Sequence, residues 1–182
     1  CSDEFSIKWY ENNGNEIFCE HIISDLYCSS FIKPPISIDI DCDDDIDIIL
    51  GAYANLVLFE NDGSGNFSDT ILCDSINTSI ITSEDIDFDG DYDIISGGNE
   101  GIHLFRNMGD GNYLPNLIDS SIYHPTTLQV KDIDNDDDLD ILSASSTGLY
   151  WIENIGNEDF TSHIVMPGAK CANSVFSGDM NN

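Results

Sequence analysis

The 182-residue chain carries 35 acidic residues against 5 Lys and Arg, a formal net charge of −30 at pH 7, with 41% hydrophobic and 10% aromatic content. That apolar content belongs to a globular chain with a core, not to a disordered acidic tail. So few basic residues exclude nucleic acid and anionic membranes as partners, and no apolar run approaches the roughly 20 residues of a membrane span.

In chain order, Trp9-Tyr10-Glu11-Asn12-Asn13-Gly14 followed by Phe18 comes first, and its meaning is clear only from what repeats it. Residues 35–40 are a predicted strand leading into Asp39-Ile40-Asp41-Cys42-Asp43-Asp44-Asp45-Ile46-Asp47, after which strands are predicted over 46–52, 56–60 and 67–73. These runs are β-branched and aromatic, four to seven residues long, and bounded by Gly, Asn and Asp. The acidic stretch returns as Asp85-Ile86-Asp87-Phe88-Asp89-Gly90-Asp91-Tyr92-Asp93 and as Asp132-Ile133-Asp134-Asn135-Asp136-Asp137-Asp138-Leu139-Asp140, at intervals of 46 and 47 residues. Each copy runs straight into Ile-Ile or Ile-Leu, and Phe67, Tyr113 and Phe160 each follow the first Asp of their stretch by 28 residues. Six residues before each of these aromatics an Asn opens a turn (Asn61, Asn107, Asn154), as Asn12 does before Phe18. The N-terminal segment is therefore read as the back half of a repeat.

A period of about 47 residues holding four short strands is the size of one propeller blade. The expectation is an all-β chain, a β-propeller of about four blades, complete or part of a larger propeller or assembly. Its units are 1–36 (the back part of a blade), 37–82, 83–129, 130–176 and 177–182 (the start of the next blade), all in one repeat domain. The pairs Trp9-Tyr10, Leu58-Phe59, Leu104-Phe105 and Trp151-Ile152 share a repeat position and are assigned to packing between blades. His21 and His163 coincide in register and are read as structural.

The acidic loops hold 17 of the 35 acids. Two unit charges about 4 Å apart repel by roughly 4 kcal/mol at an effective dielectric near 20, so a cation is expected among them. Carboxylates at loop positions one, three, five and nine, with a carbonyl at seven, suit calcium, which takes six to eight oxygens. Magnesium wants stricter octahedral geometry, and zinc wants His or Cys. About three calcium ions per chain are expected.

The loop Asp-Ile-Asp-Phe-Asp-Gly-Asp-Tyr-Asp-Ile-Ile at 85–95, its two copies and the Asn-turn-aromatic segment resemble the FG-GAP or VCBS repeat, the blade of integrin-α-like propellers. The resemblance implies that the loop joins the first two strands of a blade and binds calcium. Its ligands would be the side chains of Asp39, Asp41, Asp43 and Asp47 with the carbonyl of Asp45, then Asp85, Asp87, Asp89 and Asp93 with Asp91. The third set would be Asp132, Asp134, Asp136 and Asp140 with Asp138. Asp179 and Asn181 begin a fourth loop and are a partial metal site at most. Gly at position six is kept only at Gly90, with Asp44 and Asp137 in its place elsewhere.

Nucleophile elbows, zinc-protease motifs and phosphate loops are absent from the sequence, and every carboxylate pair is accounted for by a loop, so no catalysis is expected. The function read from the sequence is that of an extracellular or cell-surface module, structural or adhesive. The alternatives are a glycan- or protein-recognition domain, lectin- or integrin-like, of a larger secreted protein, and the protomer of a head-to-tail filament joined through terminal half-blades. Calcium, six cysteines and the sequons at Asn66 and Asn77 support secretion. Cys28 and Cys171 fall at nearly the same repeat position and are a candidate disulfide.

Overall fold

In the computed structural model the described residues are 6–25, 33–52, 54–156, 159–169 and 172–178. Fourteen strands form among them, and no helix: β1 (Ile7–Asn12), β2 (Phe18–Ser24), β3 (Ile36–Ile38), β4 (Asp47–Ala52), β5 (Asn55–Asn61), β6 (Phe67–Asp74), β7 (Thr78–Glu84), β8 (Asp93–Gly98), β9 (Gly101–Asn107), β10 (Tyr113–Asp119), β11 (Pro125–Lys131), β12 (Asp140–Ser145), β13 (Gly148–Asn154) and β14 (Phe160–Pro167). They make one two-stranded sheet, β1-β2, and three four-stranded sheets, β3 to β6, β7 to β10 and β11 to β14, each an antiparallel meander in chain order.

The all-β expectation holds, and the N-terminal segment is a pair of strands. The sheets begin one strand before the acidic loop, so the sequence-based unit boundaries at 82/83 and 129/130 pass through β7 and β11. The sequence period starts at the loop, whereas hydrogen bonding joins the strand before it to the strand after it.

Each loop ends in a strand buried on both faces, which is why Ile48-Ile49-Leu50, Ile94-Ile95 and Ile141-Leu142 are unbroken apolar runs instead of alternating ones. Three apolar clusters sit between successive sheets. Leu50, Val57 and Phe59 pack with Ile7 and Ile23; Ile49, Leu56 and Leu58 pack with Ile81, Ile94 and Phe105; Ile95, Ile102 and Leu104 pack with Leu128, Ile141 and Ile152. Each such side chain, fully buried, contributes about 1.5–3 kcal/mol.

Where the first strand of the next sheet comes closest, the preceding sheet needs a residue without bulk. A Cβ at Gly51 would lie 2.9 Å from Thr78 Cβ, and one at Gly97 would lie 2.3 Å from Pro125 Cγ. On the fourth strands the register slips at the same place each time, leaving Ile23, Leu72, Ile118 and Val165 as the extra residue. Such a bulge turns an additional side chain inward, and Ile23, Leu72 and Ile118 pack on the clusters.

Two expectations are corrected. The pairs at the shared aromatic position are core in the middle sheets, with Leu58, Phe59, Leu104 and Phe105 at 2% exposure or less, but Tyr10 is 56% exposed. Joining through terminal half-blades calls for a strand near 175–177, but that segment forms no ladder among the described residues, and Phe176 is exposed. That segment is held by side chains of β11: Thr126 and Thr127 hydroxyls donate to the carbonyls of Ala172 and Asn173, and Ser177 N donates to Gln129 Oε1. Cys28, Cys171, Asp179 and Asn181 lie outside the described residues. No helix among the described residues is long and apolar enough to cross a membrane.

Candidate metal centres in the acidic loops

The three loops connect β3 to β4, β7 to β8 and β11 to β12, the first two strands of their sheets. Each coils because its own carboxylates accept its amides. Asp39 takes the N–H groups of Asp43 and Asp44, Asp85 those of Asp89 and Gly90, and Asp132 those of Asn135 and Asp137, all at 2.7–3.2 Å. Position five then accepts from position seven: Asp43 from Asp45, Asp89 from Asp91, Asp136 from Asp138.

These bonds force positive φ at positions four and six. Cys42, Phe88 and Asn135 have φ of 60°, 58° and 64°, and Asp44, Gly90 and Asp137 have 75°, 99° and 74°. Asp tolerates this region better than most residues, yet glycine enters it without steric cost. Asp137→Gly is therefore expected to raise stability by about 0.5–1 kcal/mol, read as a higher urea midpoint; a lower midpoint would mean that the Asp137 side chain contributes more than its strain.

Position nine has a second task. Asp47, Asp93 and Asp140 are buried at 1%, 0% and 0% exposure. Oδ2 of each accepts the amide at position two of its own loop, from Ile40, Ile86 or Ile133, at 3.0–3.1 Å. Oδ1 of each accepts the amide of the turn-opening Asn61, Asn107 or Asn154, 14 residues on, at 2.8–2.9 Å. Those Asn side chains return a bond to the carbonyl at position eight, from Ile46, Tyr92 or Leu139, and accept from Gly63, Gly109 or Gly156. Asn107 also donates to Ile40 O in the preceding loop, joining neighbouring sheets. The side chain at position seven leans over that turn: a Cβ on Gly63 would meet Asp45 Oδ2 and one on Gly109 would meet Asp91 Oδ2.

Three carboxylates of each loop converge. One oxygen from each of Asp39, Asp41 and Asp43 lies within 4.8 Å of the others, and the same holds for Asp85, Asp87 and Asp93 and for Asp132, Asp134 and Asp136. Burial, then the neighbouring acid, pushes the carboxyls of Asp41, Asp87 and Asp134 above their usual range. Burial pushes Asp93 up to about 6, with Asp87 and Asp89 adding to it against the bonds from Asn107 and Ile86. Charge-rich, oxygen-only and preformed, this donor set fits calcium as the sequence expects. When bound, the ion would supply the positive charge that lets these carboxylates ionise together.

Sequence reading missed what stands one residue before the turn-opening Asn. Glu60 is pushed up by burial and by Asp41 and Asp47, and Glu153 adds to the shift on Asp134, so each faces its loop; at the same place in the second loop stands Arg106. The register alone could have found this set. Asn66 and Asn77 are exposed, and the Asn66 amide donates to Asp62. Cys19, Cys42 and Cys73 are free thiols.

Residues 85–143 match the family described as an FG-GAP-like repeat. That stretch spans the second and third loops, and over it the chain is similar to the FG-GAP-like repeat family. No curated protein matches the sequence. Among solved structures, the chain is similar to a lectin of Agrocybe aegerita described for specific recognition of non-reducing terminal N-acetylglucosamine, with TM-score 0.63, 19% identity and 89% of this chain covered. The likeness is one of fold, and this chain spans 46% of that lectin's length.

Proposed function

We propose that the chain is a calcium-stabilised section of a β-propeller acting as an extracellular, non-catalytic surface module, structural or adhesive. The observation that carries this is the threefold recurrence of a preformed carboxylate cluster at the head of each four-stranded sheet. Millimolar calcium is an extracellular commodity, and the loop carboxylates are engaged by the amides of their own loops.

A second reading, recognition of a glycan, is favoured by a groove of about 560 Å³ between the two-stranded sheet and the next, lined by Trp9, Glu11, His21, Ile48, Asn61 and Phe67. Trp9 stacks on His21 at 4.3 Å between ring centroids, Glu11 Oε2 lies 3.2 Å from His21 Nε2, and the Trp9 indole N–H has no hydrogen-bond partner. An aromatic ring beside a carboxylate in an open groove suits a sugar ring, and the similar lectin fold agrees.

Binding on a glycan array by a monomer in calcium, lost in Trp9→Ala, supports recognition. Fibres by negative stain with a silent array support the structural role. A soluble monomer that binds neither glycan nor protein surface counts against both.

A further inference from the structure

Acids at positions one, three, five, seven and nine recur in all three loops, but the residue that faces them from the third strand of each sheet does not. Before Asn61 and Asn154 stand Glu60 and Glu153, whereas Arg106 stands before Asn107. Arg106 Nε lies 2.9 Å from Oδ2 of Asp87, the carboxylate at position three of the second loop. The contact is sheltered, with side-chain exposures of 34% and 15%. Glu60 and Glu153 add a negative charge to the first and third loops at the place where Arg106 adds a positive one.

A guanidinium held beside a carboxylate offsets its charge and repels any second cation brought to it. We propose that Arg106 is a built-in cation for the second loop, so that this loop keeps its shape without metal and takes calcium last and most weakly. The first and third loops, each with its additional Glu, take calcium first. A unit charge this near a divalent ion is worth at least about tenfold in affinity even with waterlike screening. The inference rests on the calcium reading above, and it divides the chain into two calcium-demanding joints around one that is not.

The test is calorimetric titration of the whole calcium-free chain with calcium, comparing wild type with Arg106→Glu and Arg106→Gln. Wild type is expected to take two ions in a tight step and a third at least about tenfold more weakly. Arg106→Glu merges the third ion with the first two, and Arg106→Gln falls between. Asp89→Ala deletes the weak step and leaves the tight one. Circular dichroism at saturating calcium checks that the variants fold, and the uncharged Gln variant carries the comparison if the Glu variant does not. Three equivalent ions in wild type, unmoved by either Arg106 substitution, would overturn the role of Arg106 and leave the calcium reading standing. No calcium uptake at millimolar concentration by any of these chains would overturn both.

Discussion

Excess EDTA is expected to lower the Tm of this chain by about 10–30 °C relative to millimolar calcium. A ligand at a hundred times its Kd stabilises the folded state by about 2.7 kcal/mol per site, so two or three loops supply roughly 5–8 kcal/mol. For a chain of this length each kcal/mol moves Tm by about 2–4 °C. That is as large as the whole stability of many domains, and the loops left behind repel themselves. The pH dependence of the metal-free chain follows with a definite sign. The folded carboxyl of Asp93 stands at about 6 against an ordinary 3.8, so between those values the folded state holds more protons than the unfolded one. Metal-free stability is thus highest at or below pH about 4 and falls as pH rises through about 6. In EDTA the midpoint should climb on acidification from pH 7 to pH 5, while with calcium bound that gain should vanish. Equal midpoints in calcium and EDTA at pH 7, by scanning calorimetry, would sink the metal reading.

The loops, the Asn turns and the strands were legible because each is a local pattern. Asp at alternate positions, Asn before Gly and β-branched runs declare themselves within about ten residues. What escaped depends on contacts across strands. Asp47, Asp93 and Asp140 were readable as oxygen donors, but their bonds to the amides of Asn61, Asn107 and Asn154 cross a β-hairpin. Trp9 and Trp151 share a register position with Leu58 and Leu104, yet they stack on His21 and His163 instead of joining the apolar clusters. Those His residues are their cross-strand neighbours, and Glu11 and Glu153 fix the imidazoles in turn. At 172–178 local β-propensity misled, because a strand needs a partner for its backbone and β11 offers that segment only side-chain bonds.

Asp140→Ala is expected to cost about 2–5 kcal/mol, more than loss of any exposed loop carboxylate. The side chain is fully buried and both its oxygens are engaged, one by Ile133 N and the other by Asn154 N. Truncation leaves two backbone donors inside the protein without acceptors, at about 1–3 kcal/mol each, and frees the Asn154 turn from the loop. Asp140→Asn keeps one acceptor and is expected to lose about half as much. Because Asp140 is also a candidate calcium ligand, urea denaturation should be run in saturating calcium and again in EDTA. A penalty that persists in both conditions assigns it to the clamp between loop and turn. If the penalty appears only in calcium, the residue acts as a ligand and the clamp is energetically idle; a change under about 0.5 kcal/mol in both conditions would refute either role.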